Sequence, residues 1–526
     1  MDTKELLKFC LEKGLLLDKE VLTLLNEVSD VESAKLVIEK IRNETGKKIL
    51  TKSVFYDNKD KTNKFFLDLP AENQKKLEKL KIKLGLSIEI SKESQNIKTQ
   101  IKTPKEKHLF LEEPQIKIVS MDFPKGKKLE VGDFVTYFKN RYVEIKNILQ
   151  ESSTLTDLIS IDKVYGGRKT FSIIGMVFDK KITKNGNILL DVEDVTGRIR
   201  VLINKDKRDL YEKAENIALD SVVGFKGFGN NEIIFANEVC FPEAFLNERK
   251  KSPIEEYALF GGDAHIGSKF FLEESFLKFI DYLNGKIPNT PEVSKIKYLV
   301  FSGDLVAGVG AYPNQEKELA LMDLESQYER AAELLSKIRR DIKIILCAGN
   351  HDCVRIMEPQ PILEEKYSWP IHNLKNVTLT TNPSMINIGS RENFSGFNVL
   401  MYHGFSYPYY AGTIPKLVKE KAIHKPELVM EFLLKNRHLA PTHASVQYFP
   451  AEKDTHFIRT SPDIFVSGHI HKSGVAYFNN ILNISSTCWE GLLSYQEKRG
   501  IKPDFCKVPM FNLKTRAIKI LDFEMD

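Results

Sequence analysis

At 526 residues the chain is too long for one ordinary domain and long enough for about three. Its hydrophobic content of 42% permits full cores, yet no apolar run approaches the roughly 18 residues that suggest a membrane-spanning helix. The formal net charge of +5 allows contact with a polyanion without demanding it. The opening stretch Met1–Glu5 mixes acidic and basic residues and has no signal-peptide core, so the protein is expected in the cytoplasm. Six scattered cysteines (10, 240, 347, 353, 488 and 506) include no pair at zinc-knuckle or redox spacing and read as free thiols.

The chain reads as four segments: 1–70, 71–117, 118–250 and 251–526. The first is a small helical domain. Leu6, Leu7, Phe9 and Cys10 form one apolar helix face, with Gly14 as its stop. Asp18 and Asp30 are expected N-caps of a second and a third helix. Such a unit is too small for an enzyme and suits docking or packing. Residues 71–117 are rich in Lys, Glu, Gln and Ser and read as a flexible tether, clearest over Lys92–Lys107.

Residues 118–250 look mostly β, opened by Val131–Tyr142. Phe171–Phe178 is a strand by its β-branched and aromatic content, and Asn185-Gly186 is a hairpin turn into Ile188–Val192. Arg198–Ile203 alternates wet and dry faces. A helix over Lys207–Ala218 precedes the strands Ser221–Phe228 and Glu232–Val239. Three strands, a helix, then two strands is the order of an OB-fold barrel, a fold that often binds single-stranded nucleic acid. Arg198, Arg200 and Lys226 are its candidate DNA-binding residues; ordinary solvent-facing roles, or an adaptor barrel, fit the same residues.

From 251 onward, strands and helices alternate. The expected strands are Tyr257–Gly261, Ile296–Phe301 and Ile342–Cys347, and the expected helices are Phe271–Leu283 and Glu316–Arg340. That alternation predicts a layered α/β domain with ligands beyond the carboxyl ends of its strands. Short motifs sit at such places: Asp263-Ala-His265, Gly303-Asp304, Gly349-Asn350-His351-Asp352, His403-Gly404 and Gly468-His469-Ile-His471. Of the eleven histidines, five fall in these motifs, which sets them apart from His372, His424, His438, His443 and His456, read as surface or satisfied core residues. Mixed carboxylate and imidazole donors suit manganese, iron or zinc, and there are enough of them for two ions side by side. Two cations about 3.5–4 Å apart need a shared carboxylate. Asp304, after a glycine that permits close approach, is the best candidate. His469 and His471 share a face if their segment is extended; if it turns, they reach different metals.

The ordered set resembles the calcineurin-like metallophosphoesterases, with their αββα sandwich. Together with Glu358-Pro-Gln-Pro361, Pro462–His471 and Ser486-Thr-Cys-Trp489, it looks like the small subunits of the archaeal family D DNA polymerases over residues 120–515. The eukaryotic polymerase B-subunits look related but have lost such ligands. The resemblance implies that Asp263, His265, Asp304 and His471 hold one divalent metal, and that Asp304, Asn350, His403 and His469 hold the other. Mn2+ is the leading candidate, with Fe2+, Zn2+ and Mg2+ as alternatives. It implies two-metal hydrolysis of a phosphodiester as a 3′→5′ proofreading exonuclease, with Asp304 and His351 as catalytic residues and His351 beside the scissile bond. It also implies a heterodimer with a large catalytic polymerase subunit and a single-stranded DNA 3′ end as substrate; whether the helical N-terminus meets that subunit, a sliding clamp or neither is open. One departure stands out: many metallophosphoesterases carry an acid three residues after the bridging Asp to orient the histidine, and here that residue is Ala307, with Asp352 as a possible replacement. A non-catalytic scaffold subunit and a free-standing metallophosphoesterase are the alternatives.

Overall fold

The computed structural model describes residues 3–17, positions 21, 35, 38, 39, 42, 49 and 50, and then 115–124, 126–493, 496–497 and 502–525. Most of the expected second and third helices, and the expected tether over 71–114, lie outside the described residues. The chain divides into two compact units, residues 1–111 and 112–526. In the first, helix Thr3–Glu12 buries Cys10 and stops at Gly14, whose φ of +67° suits the left-handed end of a helix. Leu16–Leu17 pairs in parallel with Ile49–Leu50.

The second unit holds a barrel and a two-sheet domain. The barrel closes in the order Gly167–Ile182, Ile188–Glu193, Arg198–Ile203, Ile233–Cys240, Val222–Gly229, and helix Arg208–Glu215 lies between its third and fourth strands in the chain. Alternate residues fill it: Ile188, Leu190 and Val192 from one strand, Ile199, Val201 and Ile203 from the next.

Val131–Tyr142, expected to open the β region, is helix instead: Val131–Gln150 is one continuous helix. Its buried positions (Tyr137, Arg141, Tyr142, Ile145, Leu149) recur at helical spacing. Tyr142, Ile145 and Leu149 pack against Ile174, Met176 and Val222 of the barrel. The expected helix 316–340 is also shorter: it runs Leu324–Ser336, started by Asp323, whose side chain accepts the Ser326 N–H.

The C-terminal domain stacks two six-stranded sheets. One runs Val377–Thr380, Lys343–Cys347, Ile296–Phe301, Tyr257–Gly261, Lys507–Asn512, Ile518–Asp522, and its first four strands are parallel. The other runs Gly474–Phe478, Ile481–Ser485, Ile464–Ser467, Phe397–Met401, Ser384–Ile388, Ile116–Ser120. Its last strand comes from before the barrel, across the expected boundary at 118. Ala258, Phe260, Val300 and Ile345 of the first sheet meet Val399, Met401, Ile464 and Ile484 of the second. Leu259, Leu299 and Leu346 point the other way, onto helices Glu273–Leu283 and Leu324–Ser336. Phe465 and Leu400 pack outward beneath Tyr407–Thr413 and Pro426–Asn436. Strands buried on both faces explain their unbroken apolar runs. Both sheets direct the carboxyl ends of parallel strands to the same seam.

Candidate metal centre

At that seam the structure gathers all seven expected ligands. Asp263 follows strand Tyr257–Gly261, Asp304 follows Ile296–Phe301 and Asn350 follows Lys343–Cys347. His403 follows Phe397–Met401, and His469 and His471 follow Ile464–Ser467. Five of the seven have left-handed backbones: Asp263 and His265 at φ +50°, Asp304 at +49°, His469 at +70° and His471 at +56°. Non-glycine residues rarely adopt that region, at a cost on the order of 1 kcal/mol each, and such outliers gather at functional sites. The glycines beside them leave room for the ligands. A Cβ on Gly349 would collide with Asp304 Oδ1, and one on Gly303, itself at φ +100°, would come 2.7 Å from His403 Nδ1.

The donors fall into groups whose ligand atoms lie within 4.8 Å of one another: Asp263, His265 and His471; and Asp304, His403 and His469. Asp304 stands between them, its Oδ2 3.2 Å from His403 Nε2 and 3.9 Å from His265 Nε2. His471 Nε2 lies 3.5 Å from Asp263 Oδ1 and 3.1 Å from His265 Nε2. The segment after Gly468 turns, so His469 and His471 join different groups. The His469 backbone N–H donates to both oxygens of Asp263, at 3.0 and 3.1 Å.

His351 stands with His265 and Asp304, its ring 4.7 Å from that of His265. Its N–H donates to Asp304 Oδ1 at 2.8 Å. Its Nδ1 lies 2.7 Å from the Ala307 carbonyl. A carbonyl only accepts, so Nδ1 carries the proton and the other ring nitrogen is left for a ligand. The residue that lacks the usual acid therefore orients the imidazole through its backbone. Asp352 does not take that role: its carboxylate accepts from Gly349 N–H at 2.9 Å and Tyr328 OH at 3.0 Å, bracing the loop rather than the ring. Burial, then the nearby Asp304, raises the Asp352 carboxyl to about 6.

Glu490 was missed in the sequence. It is buried, with Oε2 4.0 Å from His265 Nδ1, and burial raises its carboxyl above the ordinary range. Its signal was its place directly after Ser486-Thr-Cys-Trp489. Arg198, Arg200 and Lys226 stand elsewhere, on barrel strands, with partners of their own: Arg198 Nε to Glu193 Oε2 at 2.7 Å, Arg200 Nε to the Glu232 carbonyl at 3.4 Å, and Lys226 Nζ 4.0 Å from Glu238.

Residues 259–473 match the calcineurin-like phosphoesterase family. Over 398 residues the chain is 35% identical to the DNA polymerase II small subunit of Methanothermobacter thermautotrophicus, covering 75% of this chain and 80% of that one. The chain belongs to the family of archaeal DNA polymerase II small subunits. The Archaeoglobus fulgidus member is 32% identical over 420 residues, 78% of this chain and 82% of its own. The Pyrococcus furiosus member is longer: 35% identity over 410 residues spans 76% of this chain but 65% of the relative. An archaeal phosphodiesterase of known structure overlays 50% of this chain and 98% of its own at 12% identity, with a TM-score of 0.25, too distant to carry any further conclusion.

A metallophosphoesterase domain implies divalent metal ions, and the donor set of this family member fits them. His403 Nδ1 donates to the Ser302 carbonyl at 2.9 Å, which leaves a lone pair on Nε2. That lone pair faces two further acceptors, Asn350 Oδ1 at 2.9 Å and Asp304 Oδ2 at 3.2 Å. Three acceptors converging on one buried point require a cation or a proton between them. Burial pulls the His403 pKa down, but Asp304 and then Asp263 outweigh it and hold it up at about 9. The position calls for positive charge.

Proposed function

We propose that this chain is the accessory subunit of a two-subunit replicative DNA polymerase and that its phosphoesterase domain is a 3′→5′ exonuclease removing misinserted nucleotides. The observation that carries the reading is the convergence of six candidate metal donors around a seventh, Asp304, with the His351 ring set beside them by the Ala307 carbonyl. No polymerase motif is apparent in the sequence, so synthesis falls to a large catalytic partner. Cytoplasmic location and contact with a sliding clamp accompany this reading.

Two divalent ions, when bound, would supply Lewis-acid activation of water and neutralise charge on the phosphate; Asp263, His265, Asp304 and His471 would hold one, and Asp304, Asn350, His403 and His469 the other. Manganese suits this oxygen and nitrogen set, as do iron, zinc and magnesium to differing degrees. His351 keeps Nδ1–H on Ala307, so its other nitrogen can hold the proton that passes to the leaving 3′ oxygen. Tyr312 packs 6.1 Å from that ring and narrows the approach.

We read the barrel as an OB fold that guides a single strand. Its strand and helix order supports this, as do the exposed rings of Phe228 and Phe235, stacked at 5.6 Å, on which bases can lie. The Arg198 guanidinium lies 4.4 Å over the exposed Phe178 ring. Arg200 and Lys226 lie on strands Arg198–Ile203 and Val222–Gly229 of the same barrel, which flank strand Ile233–Cys240 on either side.

The test is digestion of an end-labelled primer–template with a mismatched 3′ end, with Mn2+, by this chain alone and with its large partner. Wild type shortens the primer; Asp304→Ala and His351→Ala lose the activity by roughly 10³-fold. Intact DNA with metal-loaded wild type in both settings makes the chain a scaffold.

A further inference from the structure

Glu358-Pro-Gln-Pro361 follows the loop that carries Asn350 and His351, and none of its side chains belongs to the donor set of the metal centre. Gln360 is buried beside Asn382, which is also buried. Their backbones pair in both directions, Gln360 N–H to the Asn382 carbonyl at 2.7 Å and Asn382 N–H to the Gln360 carbonyl at 3.1 Å. Their side chains pair as well, Asn382 Nδ2 donating to Gln360 Oε1 at 2.8 Å. Each amide then has one free end, and each free end reaches the metal centre. Asn382 Oδ1 accepts the backbone N–H of His403 at 2.8 Å. Gln360 Nε2 donates to the Gly349 carbonyl at 3.4 Å, at the start of the loop that carries Asn350 and His351, and to the Arg355 carbonyl at 3.2 Å.

We propose that Gln360 and Asn382 are positioning residues that hold His403 and Asn350 in register, so that one metal position of the pair forms. His403 comes from one sheet and Asn350 from the other. The amide pair ties the two ligands together across the seam. Asp263, His265 and His471 make no hydrogen bond to either amide, so the second position feels the pair only through the shared Asp304. Loss of the Asn382 amide leaves a buried N–H at His403 without its acceptor and frees the ligand to move. Groups that orient metal ligands typically change affinity by about 10–100-fold.

The proposal rests on the two-cation reading of the centre, and its test reads metal directly rather than activity. Manganese is titrated into the metal-free full chain and followed by electron paramagnetic resonance. Wild type takes up two ions with the signature of a coupled pair. Asn382→Ala keeps one ion at wild-type affinity and binds the other about 10–100-fold more weakly, so the coupled signal fades. Asn382→Asp keeps the acceptor for His403 but loses the donor to Gln360 Oε1, so its affinity for that ion falls between those of wild type and Asn382→Ala. Gln360→Glu, which loses the donor to Gly349 but keeps the volume, serves as a second variant should Asn382→Ala fail to fold, and shows the same selective weakening. Unchanged uptake in these variants, or equal loss of both ions from folded protein, overturns the proposal while leaving the two-cation reading intact. Wild type that takes up no manganese overturns both.

Discussion

Two buried clusters of histidine and carboxylate lie in the C-terminal domain, and they solve the same electrostatic problem in opposite ways. In one, Arg141 of helix Val131–Gln150 supplies the positive charge. Its Nε donates to Asp454 Oδ2 at 2.6 Å and its NH1 to the Pro441 carbonyl at 2.6 Å. Tyr137 OH, at 2.7 Å, and His438 Nε2, at 2.8 Å, also reach Asp454. His456 Nε2 lies 2.8 Å from Glu358. His438 Nδ1 accepts the Ala440 N–H at 3.0 Å, so its proton sits on Nε2 and points at the carboxylate: donor meets acceptor. In the metal centre His403 Nε2, Asn350 Oδ1 and Asp304 Oδ2 converge on a position that takes a proton or a cation, and among the described residues no Arg or Lys side chain bonds to the candidate ligands. The backbone differs too. None of Arg141, Glu358, His438, Asp454 and His456 has a positive φ, whereas five of the seven metal donors do. Residue type therefore does not separate a structural cluster from a metal site; donor–acceptor matching and backbone strain do.

The comparison breaks most readily at Arg141. Arg141→Met removes the internal cation and strands Asp454 in the core, so denaturant stability should fall by about 3–5 kcal/mol. A loss below about 1 kcal/mol would mean the cluster does not depend on its own charge. Acid probes the same cluster through His438. Burial, then Arg141, lowers its pKa to about 3, below the ordinary value near 6.5. The folded state therefore binds fewer protons, and this stabilisation is complete above pH ~6.5 and is lost as pH falls toward 3. Urea midpoints should decline across that window by an equivalent of a few kcal/mol, and His438→Gln, which cannot titrate, should flatten the decline. The metal centre should respond to a chelator instead. At a hundredfold excess of free metal over its dissociation constant, binding adds about 2.7 kcal/mol, so EDTA should lower the melting temperature of wild type. Asp304→Ala should show almost no response to EDTA, and Arg141→Met should keep the full one.

The gathering of the candidate ligands at the seam was legible because each follows a strand and sits in a short glycine-flanked motif, which is a local property. The strands were legible for the same reason: Tyr257–Gly261, Ile296–Phe301 and Arg198–Ile203 fall where alternation and apolar runs put them. Helix Val131–Gln150 was not legible as a helix, because its buried face includes an arginine that interrupts the apolar period. Nothing local marks Arg141 as a core residue, since its partner Asp454 lies 313 positions away. The orienting group for His351 was sought among side chains and turned out to be the backbone of Ala307, which no residue type reveals. The seam between the sheets, and the Gln360–Asn382 pair across it, exist only once the sheets are stacked.

The most direct measurement is anomalous diffraction from crystals of the chain grown with excess manganese. Two peaks at the seam, sharing Asp304 and flanked by His265 with His471 on one side and His403 with His469 on the other, are the expected result. Density showing those side chains turned apart around a pocket with no anomalous signal would contradict the two-metal account.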